Sequence, residues 1–378
     1  MPVEIKTVKS RSELRTFVEF PEKLYKDNPF YVPYLEFDQM DTLDQKKGAA
    51  QEFCESELYL AYKDGELVGR VAAIVNKLAN AQLNHKEVRF GWYDFTDDPE
   101  VSAALMDKVY EFGRARNMEK VVGPLGFTDF DPEGMLVEGF DALSTMALIY
   151  NHPYYVKHME RMGFSKDADW IEYKVYIPEV MPDRVKRVSK IIQERAKVQL
   201  VPLTHAKVSR EGYGKRILAA INECYKDLYN FTVLPEHMAD KYLGFYLKVL
   251  DLRYVDIVEN AKGKLVAFGI TMPSIVRALQ KSRGRFFPLG WWHLLKSLFW
   301  KREEGIELLL IGVLPEYQNS GIQSLIFADL FQKFSKAGIK WAETNAILET
   351  NLKNQGQFKD YKHECRKRRR SYCRELEY

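Results

Sequence analysis

The stretch Leu308–Gly338, LLLIGVLPEYQNSGIQSLIFADLFQKFSKAG, runs from an apolar segment through a polar turn into a long amphipathic segment. A strand that feeds a helix in this way leaves the first N–H groups of the helix facing whatever lies beyond the strand end. Unpaired amides and the positive end of the helix dipole favour an anion there, phosphate above all. Gly321 lets a ligand approach the backbone closely. The plain alternative is an ordinary strand–turn–helix junction. Carboxylates that could accept a proton stand nearby: Glu307 at the start of the apolar segment, Glu343 in IKWAETN, and Glu349 shortly before Asn351. Strand parity puts Trp341, Glu343 and Asn345 on one face, so Glu343 and Asn345 would look into the same cleft. A solvated or ion-paired glutamate is the competing reading.

These residues need a scaffold. At 378 residues the chain is long enough for two domains. With 46% hydrophobic and 29% charged residues it is globular in composition. Fifty-six Lys+Arg against fifty-three Asp+Glu give a net charge of +3, so nothing global calls for nucleic acid. Four cysteines with no C-x-x-C pair exclude a disulfide scaffold. The N-terminal MPVEIKTVKSRSEL has no apolar signal core, and no run is long enough to span a membrane, so a cytoplasmic location is expected.

In the first half, SELYLAYKDGELVGRVAAIV reads as a hairpin turning at Asp64-Gly65. PEVSAALMDKVYEFGRARN reads as a helix on the spacing of Val101, Leu105, Val109 and Phe112. EKVVGPLGF and DWIEYKVYIP read as strands. The charged segment 179–197 is a helical connection. The second half repeats the order of elements, with a hairpin turning at Asn260–Lys264, a strand at IELLLIGVLP, and strand IKWAETN followed by a helix from about Asn351. The expected organisation is therefore α/β with mixed sheets, in domains 1–178 and 198–378.

Gln318-Asn319-Ser320-Gly321-Ile322-Gln323 resembles motif A of the GCN5-related N-acetyltransferase (GNAT) superfamily, a strand followed by Q/R-x-x-G-x-G/A and a helix. Gln318 and Gly321 match, as do Val313, Pro315 and Tyr317 of the preceding V-x-P-x-Y-Q. Gln323 stands where Gly or Ala is usual. The resemblance implies two tandem GNAT-like domains. It implies that backbone groups of Ile311, Gly312 and Val313 meet the pantetheine arm of acyl-coenzyme A, and that the turn from Gln318 through Asn319, Ser320, Gly321 and Ile322 to Gln323 holds the pyrophosphate. Asn351 resembles the asparagine that opens the family's next helix. The tyrosine expected seven residues later, a general acid to the leaving thiolate, is Phe358 here, and Tyr361 lies one turn on. Glu343, Asn345 and Tyr361 are thus the candidate catalytic residues, and no metal is expected.

In the first half, YNHPYYVKHMERMGF resembles motif B, with Asn151, Tyr155 and Gly163-Phe164 matching. The corresponding strand–helix junction carries Asp94, Asp97, Asp98 and Glu100, which would repel a pyrophosphate. This half is read as a degenerate domain that does not bind coenzyme A but completes a substrate cleft. The implied activity is an acyl-CoA-dependent N-acyltransferase, most simply with acetyl-CoA, acting on a small-molecule or peptide amine. The alternative is a non-catalytic acyl-CoA sensor or membrane-associated binding module. A third reading is aminoacyl transfer from tRNA, as in related tandem folds.

Two segments fall outside this pattern. The insertion 274–302 carries seven Lys/Arg between Arg277 and Arg302, no acid, and three of the six tryptophans. Its Trp291, Leu294, Leu295, Leu298 and Phe299 form an apolar stripe, so 286–300 could contact a membrane, roof an acyl chain, or pack between domains. The tail CRKRRRSYCREL reads as an edge strand made unattractive to other edges by its basic residues, and no nucleic acid is expected there.

Overall fold

In the computed structural model, residues 2–244, 247, 250–297 and 303–378 are described. The chain forms two compact units. Unit 1 gathers Met1–Ile171, Ile275–Lys296 and Arg366–Tyr378, and unit 2 gathers Glu172–Ser274 and Ser297–Cys365. Residues 275–296 and the C-terminal 366–378 thus fold with unit 1, although the sequence reading placed both in the second half. The reason is long-range strand pairing and side-chain docking, which reading along the chain does not reveal.

The strands are β1 (Glu4–Thr7), β2 (Cys54–Lys63), β3 (Glu66–Asn76), β4 (Glu87–Phe95), β5 (Lys120–Gly123), β6 (Met135–Glu138) and β7 (Ser165–Tyr176), then β8 (Val198–Pro202), β9 (Val255–Asn260), β10 (Leu265–Pro273), β11 (Gly305–Val313), β12 (Trp341–Thr344), β13 (Ile347–Leu348) and β14 (His363–Glu375). The helices that matter here are α1 (Arg11–Leu24), α2 (Glu36–Thr42), α3 (Pro99–Arg114), α4 (Tyr154–Arg161), α5 (Asp183–Ala196), α6 (Tyr213–Tyr225), α7 (Val276–Ser282), α8 (Gly290–Leu295) and α9 (Ile322–Lys336).

In unit 1 the sheet runs β1-β2-β3-β4-β5 and then the C-terminal part of β14. All neighbours are antiparallel except β4 and β5. The β2–β3 turn forms as expected: Asp64 and Gly65 both have positive φ, 54° and 81°, as a two-residue hairpin turn requires. Alternation along β2 and β3 then decides the layers. Leu58, Leu60, Ala72 and Ile74 face Leu14 and Phe17 of α1 and Met40 of α2. Tyr59, Val71 and Ala73 face Val101 and Leu105 of α3 and Tyr155 and Met159 of α4.

The tail is not an edge strand. Within unit 1, β14 lies between β5 and β7, with Lys367 and Arg369 buried. Buried cations need partners. Asp169 accepts from Arg370 Nε at 2.8 Å and Nη2 at 3.0 Å, and Arg369 donates to the carbonyl of Ile149. The basic run is therefore largely an internal network.

Unit 2 has the order β7-β12-β11-β10-β9-β8, using Glu172–Tyr176 of β7. β11 and β12 are parallel and the other pairs antiparallel. A Cβ at Gly269 would meet Ile326 and Leu330 of α9, and one at Gly312 would meet Phe268 and Cys224 of α6. Gly269 and Phe268 are adjacent on β10, and Phe268 pairs with Gly312, so α9 and α6 cover opposite faces. The apolar stripe of α9 is buried as its spacing predicts: Leu325, Ile326, Leu330, Phe331 and Phe334 are all inside.

Candidate functional site

In unit 2, β11 and β12 pair over only four residues, Gly305–Leu308 against Trp341–Thr344. Asn345 marks the point where they part: its N–H donates to Leu308 O at 3.0 Å and its Nδ2 to Leu309 O at 3.2 Å. Beyond it, β11 continues to Val313 paired only with β10. The edge of β11 that would have faced β12 opens into a wedge. Leu308, Leu309, Leu310, Ile311 and Val313 are each only half-buried, on a strand with neighbours on both sides at its start. Complete burial of one such side chain contributes roughly 1.5–3 kcal/mol, so this run leaves apolar area that a ligand would cover.

Beyond Asn345, a tyrosine hydroxyl enters the wedge. Tyr225, the last residue of α6, accepts from the Ile311 N–H at 3.1 Å and donates to the Ile311 C=O at 2.8 Å. Of the three backbone positions expected to meet pantetheine, Ile311 is thus occupied by a tyrosine hydroxyl. Burial raises the Tyr225 pKa, so the hydroxyl keeps its proton. Gly312 is packed against Phe268 and Cys224, and burial pushes the Cys224 thiol up to about 12. Val313 lies at the end of the open edge, half-buried.

The turn after β11 has the form the sequence indicated. Asn319 and Gly321 take positive φ, 65° and 84°, and α9 starts at Ile322. Gln318 N–H bonds Pro315 O and Ser320 N–H bonds Tyr317 O. The N–H groups of Asn319, Gly321, Ile322 and Gln323 have no backbone partner among the described residues. Four free amides on the positive end of a fifteen-residue helix suit a diphosphate. Ile192 of α5 closes one side, 3.0 Å from where a Cβ at 321 would lie. Gln323, the departure from the G/A position, has a structural role: its Nε2 donates to Asn354 Oδ1 at 3.1 Å and also to Gln357. It ties the first turn of α9 to the segment after β13.

The candidate catalytic residues are distributed as follows. Trp341, Glu343 and Asn345 are half-exposed while Ala342 and Thr344 are buried, as their parity predicts. Glu343 lies opposite Lys174 of β7 and beside Glu307 of β11. Asn345 holds the apex of the wedge. Tyr361 packs edge-on against Phe331 at 4.6 Å, and burial, with Asp360 nearby, pushes its hydroxyl up to about 12. Asn351 caps a one-turn helix, accepting from Asn354 N–H at 3.1 Å. Phe358 is buried against Phe327 and Tyr173, so the residue standing where a tyrosine was expected is a core residue.

Unit 1 has a wedge of its own, and tyrosine hydroxyls bond the far end of its parted strand. β4 pairs with β5 only over Glu87–Arg89. Farther along β4, Phe95 N–H donates to Tyr155 Oη at 3.0 Å and Phe95 O accepts from Tyr154 Oη. The Tyr155 hydroxyl also lies 2.8 Å from that of Tyr25, which donates to Asp94 at 2.9 Å. Arg70 completes the cluster, 2.7 Å from Asp94. At the junction with α3, Asp98 accepts from Glu100 N–H at 2.9 Å and pairs with Lys63 at 2.6 Å. The Lys63 hydrogen bond, opposed by partial burial, holds the Asp98 carboxyl below its ordinary value. The helix start is thus served by the chain's own carboxylate. Arg70, Asp94 and Tyr25 were not singled out together from the sequence, because they lie 24 and 69 residues apart.

No protein-family model matches the chain. It is 28% identical over 356 residues to Protein YghO of Escherichia coli (strain K12), covering 92% of this chain and 89% of that protein. It is 28% identical over 319 residues to the bacterial ceramide synthase of Caulobacter vibrioides (strain NA1000 / CB15N), covering 83% and 81%. A solved tandem GNAT protein from the clavulanic acid biosynthesis pathway superposes with a TM-score of 0.57 at 11% identity, covering 100% of this chain and 99% of that one. The open strand wedge, the amide-lined turn and this likeness agree: the chain has the fold of the tandem GCN5-related N-acetyltransferases.

Proposed function

We propose that the protein is an acyl-CoA-dependent N-acyltransferase whose acyl donor is held by unit 2. The observation that carries this reading is the open wedge of β11 ending in unpartnered amides at Asn319, Gly321, Ile322 and Gln323. The donor's pyrophosphate would lie on these amides and its pantetheine arm along Ile311–Val313. Tyr225 must turn away from Ile311 for that arm to pair fully. The half-buried run Leu308–Ile311 and the relative named a ceramide synthase favour a fatty acyl group and an apolar amine over the simplest acetyl case.

Acyl transfer to an amine forms a C–N bond and breaks the thioester C–S bond. In this reading Glu343 takes the proton released from the nitrogen, and Tyr361 gives one to the departing sulfur. A hydroxyl pushed up to about 12 is fully protonated at neutral pH, as that role needs. The test is melting of the full chain with acetyl-, octanoyl- and palmitoyl-CoA, then thiol release over a panel of amines that includes a long-chain amino alcohol. A shift of several degrees with one thioester and thiol release with one amine are expected. Glu343→Gln and Tyr361→Phe should each lower turnover about a hundredfold while leaving the shift intact. Absence of any shift with all three thioesters refutes the donor site. The buried Phe358 favours a second reading, a non-catalytic acyl-CoA sensor, for which binding without turnover is expected.

A further inference from the structure

Within unit 1, α7 and α8 form a pair with a settled inner side and an unsettled outer one. On the inner side Val276, Leu279 and Leu294 are buried. The end of α7 and the connecting loop are clamped to the body of the unit. Gln280 donates to the carbonyls of Pro29 and Tyr31, each at 2.9 Å, Gly284 O accepts from Glu36 N–H at 2.9 Å, and Arg285 pairs with Glu19 at 3.1 Å. Gly284 fits so closely that a Cβ would lie 2.1 Å from Tyr34 O.

The outer side remains apolar. Six of the twelve exposed large hydrophobics among the described residues fall between Phe286 and Leu295. Phe287 is 74% exposed, Leu289 62% and Trp292 44%. Core packing does not account for them, since the same helices have already buried their inner faces. Contiguous exposed apolar residues of this kind mark an interaction surface. The segment itself carries charge of one sign: Arg277, Lys281, Arg283, Arg285 and Lys296 are exposed, with Arg285 paired to Glu19, and positions 275–296 contain no Asp or Glu.

We propose that the segment Val276–Lys296 is a membrane-docking surface that seats unit 1 on an anionic lipid bilayer. Phe287, Leu289 and Trp292 would enter the boundary between headgroups and acyl chains, while the flanking Lys and Arg meet lipid phosphates. Tryptophan suits that depth because its ring is apolar and its N–H polar. Charge decides against self-association: two copies meeting through this patch would bring their cations together, whereas an anionic bilayer would neutralise them. The expectation from sequence extended to position 300, but residues 298–302 lie outside the described residues and the proposal does not use them.

The test is co-sedimentation of the full chain with phosphatidylcholine vesicles, with and without phosphatidylglycerol. The wild type should pellet with the phosphatidylglycerol vesicles and release as salt rises. The triple variant Phe287→Ser, Leu289→Ser, Trp292→Ser should bind at least tenfold more weakly with an unchanged melting temperature, and Lys281→Ala with Lys296→Ala several-fold more weakly at low salt. Three results would each overturn the proposal: no binding to phosphatidylglycerol vesicles, equal binding by the triple variant, or a solution dimer that this variant dissociates. No thioester is present, so the outcome is independent of the donor site.

Discussion

The two units part their central strands in the same way and treat the gap differently. In unit 1 the gap beside β4 is closed by Tyr154 and Tyr155, and every residue of β4 is buried. In unit 2 the gap beside β11 meets the hydroxyl of Tyr225, and the strand stays half-exposed. The helix starts differ likewise. Asp98 supplies its own anion to α3, whereas α9 begins with amides that have no such partner. One architecture thus has its parted strand covered in one place and half-exposed in the other. The difference comes from a few side chains that either complete the backbone hydrogen bonds or leave them open.

If unit 1 is sealed for stability, breaking its seal should be the costliest change. Arg70→Met leaves the buried Asp94 carboxylate unpaired and should destabilise the chain by about 3–5 kcal/mol in urea unfolding. A loss below about 1 kcal/mol would mean the cluster is not structural.

Next in size is the proposed anion site at Gly321. Asn319→Asp keeps a residue that tolerates positive φ but sets a carboxylate among the free amides. At a hundredfold excess over Kd, bound donor should stabilise the wild type by about 2.7 kcal/mol, and this variant should lose most of that. Asp98→Asn, its counterpart in unit 1, keeps an N-cap and should leave donor binding unchanged. Equal losses in both would erase the contrast between the units.

A smaller effect is expected at Tyr225. Tyr225→Phe frees the Ile311 N–H and C=O and should tighten donor binding several-fold, about 1 kcal/mol by calorimetry. Tyr155→Phe in unit 1 should not alter donor affinity, but should lower stability by about 1–3 kcal/mol by leaving Phe95 N–H unpaired. Weaker binding in Tyr225→Phe would show that the hydroxyl helps to hold the donor.

An effect of similar size is a pH dependence to which buried carboxyls of unit 1 contribute. Burial pushes the Glu22 carboxyl from 4.5 up to about 7, and burial does the same to Asp131. The folded state therefore keeps protons that the unfolded chain releases. Stability should be greatest below the unfolded values and fall as pH rises to about 7. Glu22→Gln should flatten part of that decline in unfolding free energy, by roughly 1–2 kcal/mol after solvent screening, as read in urea unfolding across pH.

What was legible in the sequence was local. The hairpin at Asp64-Gly65, the helix on Val101, Leu105, Val109 and Phe112, and the turn at Gly321 all follow from backbone preference and side-chain period within a dozen residues. What was not legible needed partners from afar. The basic tail read as an edge because its alternation is polar, and only Asp169 and the Ile149 carbonyl explain why it lies inside. Phe358 read as a missing acid, yet its contacts with Phe327 and Tyr173 make it core.

Spacing and residue type determined that a strand would run through a turn at Gly321 into a helix start, because turn preference and side-chain period are properties of a few consecutive residues. Tertiary structure decided which of two similar gaps is open. That choice rests on how far side chains from distant helices cover the parted strand, which is wholly buried at β4 and stays half-exposed at β11 beyond the contact of Tyr225, and no stretch of sequence contains both partners.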